Sequence, residues 1–179
     1  MAVRLATVDD AGAIAAVHIA AWRAAYAGLM PQAVLDGLSV EKRTADWRRS
    51  LSITGPDMTS VVTNAADVVV GFAHYGLARG ATYVGKRHGE LFAINLQPDV
   101  WRCGFGRQLC EQVLAYAAAR QWHFLSLWVL RENIRARAFY EGLGFIADGG
   151  EQTDSTLIGA PLNELRYRKQ LASGGVRLP

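Results

Sequence analysis

The chain has 179 residues, 51% of them hydrophobic and 20% charged, with a formal net charge of +3 and a pI near 9.1. That length suits one domain with a substantial core, and no apolar run approaches the ~20 residues that a membrane-spanning helix requires. The basic residues are scattered, with modest groups at Arg48-Arg49, at Lys86-Arg87-His88 and from Arg131 to Arg137. A nucleic-acid binder would concentrate them in one stripe, so the mild positive balance is read as a general attraction for a small polyanion.

Val3-Arg4-Leu5-Ala6 alternates apolar and polar side chains, which predicts a short strand, and Thr7 and Asp9-Asp10 behind it can cap a helix. That helix is expected over residues 9–26. Ile14, Val17, Ala21 and Ala25 recur at helical spacing, and Trp22 and Tyr26 form a second stripe four residues apart. Gly28 ends it and Pro31 opens the next helix, whose buried side is supplied by Val34, Leu35, Leu38, Trp47 and Leu51 before Gly55-Pro56-Asp57 breaks the helical region. Residues 60–63 and 68–75 read as a hairpin around a turn at 64–67. The polar, glycine-containing stretch 77–88 reads as a loop. Strand 90–96, helix 105–120, strand 123–130, helix 134–142 and strands 145–152 and 162–170 follow. Residues 172–179 read as a tail outside a folded domain of residues 1–171. Strands in runs at the front and strand–helix–strand alternation behind make an α/β (α+β) domain around one central sheet.

Cys103 and Cys110 lie seven residues apart across a turn and its helix. That is too far for an easy disulfide, so both read as thiols in a reducing compartment. The N-terminus lacks the long apolar core of a signal peptide, and a cytoplasmic location is the default expectation. His18, His74, His88 and His123 are dispersed and no Cys-x-x-Cys occurs, so no metal site is expected.

The densest signal begins where strand 90–96 runs through Gln97-Pro98 into Trp101-Arg102-Cys103-Gly104-Phe105-Gly106-Arg107 and then into an apolar helix pattern. Backbone amides at the head of a helix lack helical partners and sit at the positive end of the dipole, so such a turn can hold a phosphate. Two decoys nearby fail on chemistry. Residues 80–87 nearly match a nucleotide-binding P-loop, but Arg87 stands where Mg²⁺ coordination requires Ser or Thr. Gly104 and Gly106 brush the dinucleotide fingerprint, but Leu109 stands where a small residue should allow close helix packing. Some thirty residues on comes Asn133-Ile-Arg-Ala-Arg-Ala-Phe139-Tyr140-Glu-Gly142-Leu-Gly144-Phe145.

The two segments, in this order and with a strand between them, resemble the GNAT N-acetyltransferase superfamily of bacterial type. That family grips the pyrophosphate of acetyl-CoA with a Gln/Arg-x-x-Gly-x-Gly/Ala turn and follows it with an Asn…Phe-Tyr-x-x-x-Gly-Phe element. Aligning Gly104 and Gly106 puts Trp101 at the first motif position, a departure expected to have little effect because the phosphate contacts there are mostly backbone N–H groups. The resemblance implies a central, mixed, mostly antiparallel sheet of about seven strands flanked by about four helices. It also implies that two adjacent strands, beginning near Glu90 and His123, splay apart to admit the pantetheine arm.

What the resemblance implies for function is direct acetyl transfer from acetyl-CoA to a primary amine of a small molecule or of a protein or peptide N-terminus. A non-catalytic acyl-CoA-binding or sensing domain is the rival reading. Arg102, Cys103, Gly104, Phe105, Gly106 and Arg107 would carry the pyrophosphate, and the N–H of Leu96 would meet the acetyl carbonyl. Asn133 would reach the cofactor arm, cap its own helix, or do both. Tyr140 would protonate the departing thiolate, its alternative being packing beneath the helix with Phe139. Glu90 is the candidate base for the amine, with an exposed strand-end role, His74, His88 or water as alternatives. Trp22 and Tyr26 with Gly28 resemble a family pattern that borders the acceptor pocket, and core packing is the plainer reading of both. No residue pattern fixes an oligomeric state; a homodimer is common in the family.

Overall fold

A computed structural model describes residues 2–79, 87–154 and 161–171. Most of the expected 77–88 loop, with the near P-loop in it, and the 172–179 tail lie outside the described residues. The strands are β1 (Ala2–Leu5), β2 (Met58–Thr63), β3 (Val69–Leu77), β4 (His88–Leu96), β5 (Phe124–Leu130), β6 (Ile146–Asp154) and β7 (Leu162–Gln170). The helices are α1 (Ala11–Ala25), α2 (Gln32–Asp36), α3 (Val40–Ser52), α4 (Phe105–Ala119) and α5 (Ile134–Glu141). The strand order is β1-β2-β3-β4-β5-β7-β6. β4 and β5 are parallel, and β1–β2, β5–β7 and β6–β7 are antiparallel. This is the mixed seven-stranded sheet that the resemblance implied.

Among the described residues five helices stand where about four were expected, because the stretch after Pro31 is two helices. Gly37 ends α2, and the Ser39 hydroxyl then accepts the Lys42 N–H at 3.2 Å to start α3. Asp10 takes the capping role expected of it, in a capping box with Thr7. Its carboxylate accepts two bonds from Arg4 at 2.8 Å and one from the Thr7 N–H at 2.8 Å. The Arg4 guanidinium holds Asp10 below the usual carboxylate range.

The chain packs as two compact units, one of Met1–His74 with Ala93–Cys110 and one of Tyr75–Phe92 with Glu111–Pro179. The core of the first is Ala11, Ile14, Ala15, Val17, Trp47, Val61 and Phe72. His18 is buried at its edge, where its Nδ1 accepts the Trp47 indole N–H at 3.3 Å and its ring lies 5.6 Å from Phe72. An accepting Nδ1 requires the neutral ring. Burial, with Arg43 adding to it, pushes the His18 pKa down to about 4.

In the second unit β5 is bordered on both sides. Its ladder to β7 runs from Phe124↔Gln170 to Leu130↔Glu164, and its ladder to β4 runs from His88↔Phe124 only to Glu90↔Ser126. Both strands continue past that last pair. Gly89 on β4 is a glycine for steric reasons: the Trp122 indole lies where its Cβ would stand. Trp122 in turn packs edge-on to Tyr116, and Tyr116 to Tyr75, with centroids 5.6 and 5.2 Å apart. At the β6 bulge, the buried Asp148 carboxylate receives Arg166 Nε at 3.0 Å.

Two stability measurements test this packing. Gly89→Ala drives a methyl into a rigid ring and should cost about 1–3 kcal/mol, whereas Gly12→Ala in α1, with open space at its Cβ, should stabilise by about 0.5–1 kcal/mol. Equal urea midpoints for the two variants would contradict the Trp122 contact. For His18, the folded value lies below the unfolded one, so the stability conferred by the neutral ring is complete above about pH 6.5. It is lost as pH falls toward 4, a change of about 2–3 kcal/mol. His18→Asn, whose amide oxygen can still accept from Trp47, should flatten the decline in unfolding free energy between about pH 7 and about pH 4.5; an unchanged slope would exclude His18 as its source.

Candidate active site

In the first unit, a single-turn helix, Pro98–Val100, separates β4 from the glycine turn, with Pro98 at its first position. Three backbone bonds close the corner: Val100 N–H to Gln97 C=O, Trp101 N–H to Pro98 C=O and Cys103 N–H to Val100 C=O, at 3.2, 3.3 and 3.3 Å. Arg102 and Gly104 both take left-handed backbone conformations, with φ of 65° and 88°. Gly104 needs no side chain for this, while Arg102 adopts it at a cost of about 1 kcal/mol. The first bond of α4 runs from Gln108 N–H to Gly104 C=O at 3.2 Å. The N–H groups of Phe105, Gly106 and Arg107 therefore precede the helical ladder. Phe105 is buried and anchors the turn, Arg102, Cys103 and Arg107 are exposed, and the space at the Gly104 Cβ position is open. A run of amides ahead of the helical ladder, with two exposed guanidiniums in the same segment, has the chemistry to hold a pyrophosphate.

Leu96 closes β4 just before this corner. The Trp101 indole N–H donates to the Leu96 carbonyl at 3.0 Å, and the Gln97 N–H donates to Val70 C=O on β3 at 2.8 Å. The indole is thus turned back onto the strand. Composition and motif spacing gave no signal for that contact, although Trp101 stood out as the residue that departs from the family pattern.

Trp22 on α1 and Tyr26 at its C-cap meet edge-on with centroids 5.2 Å apart, and Trp22 lies 5.3 Å from the His18 ring. Both are half-buried, so neither is sealed in the core. Arg23, between them in sequence, donates to the carbonyls of Leu35 and Leu38 at 3.2 and 3.1 Å and ties α1 to the α2 segment. Among the histidines considered as bases, His74 has its Nδ1 3.0 Å from the Thr59 hydroxyl and its ring against Trp47. It borders a cleft of about 360 Å³ lined also by Ser50, Asp57 and Thr59, which contains none of the other candidate residues.

In the second unit, Asn133 starts α5 and its side-chain oxygen accepts the Ala136 N–H at 3.1 Å, so it caps the helix as expected. Its amide group remains chemically able to do more. Tyr140 sits in the last turn, buried against Phe139 and Phe145 with centroids 5.2 and 5.9 Å away. Its carbonyl accepts the N–H groups of Leu143 and Phe145, closing the turn that contains left-handed Gly144. The helix is pinned to β7 by a contact that pattern reading did not reveal. Buried Tyr167 donates its hydroxyl proton to Glu141 at 2.7 Å and accepts from Arg137 Nε at 3.1 Å. Lys169 Nζ also donates to Leu143 C=O, at 2.6 Å.

Glu90 stands half-buried on β4 at the last ladder pair, where its carboxylate receives the Arg79 N–H at 3.4 Å. His88 is buried on the same strand against the Phe124 ring, 5.7 Å between centroids. Cys103 is exposed and Cys110 buried, and neither is in a disulfide. Among the described residues no group of three His, Cys, Asp or Glu side chains could hold a metal ion, and no helix is long and apolar enough to cross a membrane.

Comparison with known proteins agrees with this geometry. Residues 20–145 match the family model of the acetyltransferase (GNAT) family. The chain is 30% identical over 131 residues to the uncharacterized N-acetyltransferase YuaI of Bacillus subtilis, covering 73% of this chain and 72% of that protein. It is 29% identical over 140 residues to an uncharacterized N-acetyltransferase of Archaeoglobus fulgidus, covering 78% of this chain and 89% of the other. Among solved structures, the fold matches the PaiA N-acetyltransferase of Thermoplasma acidophilum in complex with coenzyme A, with a TM-score of 0.71 at 19% identity. That match covers 95% of this chain and 99% of the other. It also matches the ribosomal-protein-alanine N-acetyltransferase of Brucella melitensis, with a TM-score of 0.72 at 23% identity, over 96% and 100% of the two chains. With residues 20–145 matching the family model and a relative 30% identical over most of both chains, this chain belongs to the GNAT family and is an acetyl-CoA-dependent N-acetyltransferase.

Proposed function

We propose that this enzyme passes the acetyl group directly to a primary amine of a small molecule or of a peptide or protein N-terminus, with residues 1–171 acting as one acetyltransferase domain in the cytoplasm. The observation that carries the residue assignment is the corner from Trp101 to Arg107, where three consecutive amides precede the α4 ladder beside two exposed arginines. In the first unit, the amides of residues 102–107 bind the pyrophosphate of the acyl donor, and Arg102 and Arg107 add positive charge. The Leu96 N–H donates to the acetyl carbonyl and holds the oxygen as it becomes an oxyanion.

In the second unit, Glu90 accepts, through water, the proton that the acceptor ammonium must lose before its nitrogen has a lone pair. The C–N bond then forms and the C–S bond breaks. Tyr140 donates its phenolic proton to the leaving thiolate, and the second proton shed by the attacking nitrogen as the amide forms returns through solvent to restore the phenol, which stays protonated at neutral pH. Asn133 contributes its amide to the donor's arm while its oxygen caps α5. The aromatic pair Trp22 and Tyr26, half-buried and not sealed in the core, contacts the acceptor, which favours an amine with an apolar or modest-sized body. A homodimer accords with the family's habit.

Isothermal titration should show micromolar binding of acetyl-CoA and desulfo-CoA and none of NAD. Thiol release with an amine panel should then show Tyr140→Phe slowed about 10²-fold or more in kcat with acetyl-CoA affinity unchanged. Full activity in that variant would remove Tyr140 as the acid, and absence of CoA binding in the wild-type protein would remove the assigned phosphate turn.

A further inference from the structure

The peptide that joins Leu96 to Gln97 is held at both of its polar ends. Its N–H donates to Val70 C=O on β3 at 2.8 Å, and its C=O accepts the Trp101 indole N–H at 3.0 Å. Successive residues of a strand direct their backbone groups to opposite edges. Because Gln97 directs its N–H toward β3, and the Asn95 carbonyl oxygen also lies on the β3 side, close to Gly71, the N–H and C=O of Leu96 point to the other edge of β4. The ladder on that edge ends at Glu90. The side chain of Leu96 is fixed as well, since its Cδ2 fills the space that a Cβ on Gly71 would take. The carbonyl and the side chain of residue 96 are therefore both anchored, and the carbonyl's anchor is supplied by a side chain.

We infer that Trp101 is a positioning residue for acetyl transfer: its indole N–H fixes the Leu96 backbone so that the Leu96 N–H is aimed at the acetyl carbonyl. This rests on the assignment of Leu96 made above. It assigns to the position where this chain departs from the family pattern a role that does not involve phosphate. Without the indole bond that peptide would keep only its Gln97 N–H anchor to Val70, and the strand end would be freer to shift, carrying the Leu96 N–H with it. A hydrogen bond to a developing oxyanion depends steeply on that direction. The same indole bond ties the strand end to the corner in which Arg102 is held at φ 65°, so the group that orients the oxyanion donor also braces the turn that follows.

The test replaces Trp101 with β-(3-benzothienyl)alanine, which keeps the shape of the indole and removes only its N–H, beside a Trp101→Phe variant. Coenzyme A, which has no acetyl carbonyl, should bind the wild-type protein and the benzothienyl variant equally. The kcat for acetyl transfer should fall about tenfold in that variant, the size expected for one lost hydrogen bond acting through an oxyanion donor, with KM for acetyl-CoA within about twofold. Trp101→Phe should show the same split between kcat and KM if it folds; the isosteric variant decides the matter if it does not. An unchanged kcat in the benzothienyl protein would overturn the inference, as would parallel losses of coenzyme A affinity and thermal stability, which would make Trp101 a scaffold residue. Failure of the wild-type protein to bind coenzyme A would instead overturn the underlying assignment of the turn, so the two failures are distinguishable.

Discussion

A β-strand has two edges, and every backbone N–H and C=O along them must find a partner or stand ready for one. β4 meets this requirement unequally. Its inner edge is still bonded to β3 at Gln97, while its outer ladder to β5 stops at Glu90↔Ser126 although both strands run on. Past that point the outer edge of β4 presents backbone groups in extended geometry. At its far end, the Leu96 carbonyl is taken by a tryptophan from the following corner. The role proposed for the Leu96 amide depends on that interruption, because a strand paired along its full length has no amide to offer an acyl oxygen.

The corner after β4 shows how a local cost is offset by surrounding structure. A non-glycine residue at positive φ, here Arg102, is retained only when its neighbours over-determine its position. Those neighbours are the three backbone bonds of the Pro98–Val100 turn, the indole anchor and the buried Phe105 at the head of α4. The second unit uses a different device to hold α5. The helix is only eight residues long, too short to be stable by itself. It is held by its Asn133 cap, by the Tyr167 hydroxyl between Arg137 and Glu141, and by Lys169 on the closing turn. Tyr140 thus projects from a helix whose ends are fixed by hydrogen bonds and whose last turn is packed on Phe145.

The aromatic cluster at the edge of the first core has a comparable logic. His18 is kept neutral by burial and by the Trp47 N–H that it accepts, and on its other side it packs against Trp22. A charged imidazole there would lose the Trp47 bond and require hydration that the site does not provide. The consequence is a stiff, apolar backing for Trp22 and Tyr26, a pair that periodicity placed on one helical stripe without showing whether the stripe was core or border.

Much of the molecule could be read before folding. The strand-like runs placed all seven strands within a few residues, and Asn133 and Gly104 marked helix starts because capping and left-handed turns demand particular residue types. The glycine turn after β4 and the Phe-Tyr element were legible because their residues are close in sequence. The split of the second helical region at Gly37 and Ser39 was missed, since apolar periodicity continued across a break of three residues. The Trp101–Leu96 bond, the Tyr167 bridge to α5 and the Trp122 ring over Gly89 were not legible either. Local patterns report how a residue relates to its own helix or strand, and by them the sequence determined the family, the elements and the residues able to do the chemistry. Which strand edge is left open, which side chain closes a carbonyl and which glycine makes room for a ring depend on the meeting of distant segments in space, and only the tertiary structure decided those.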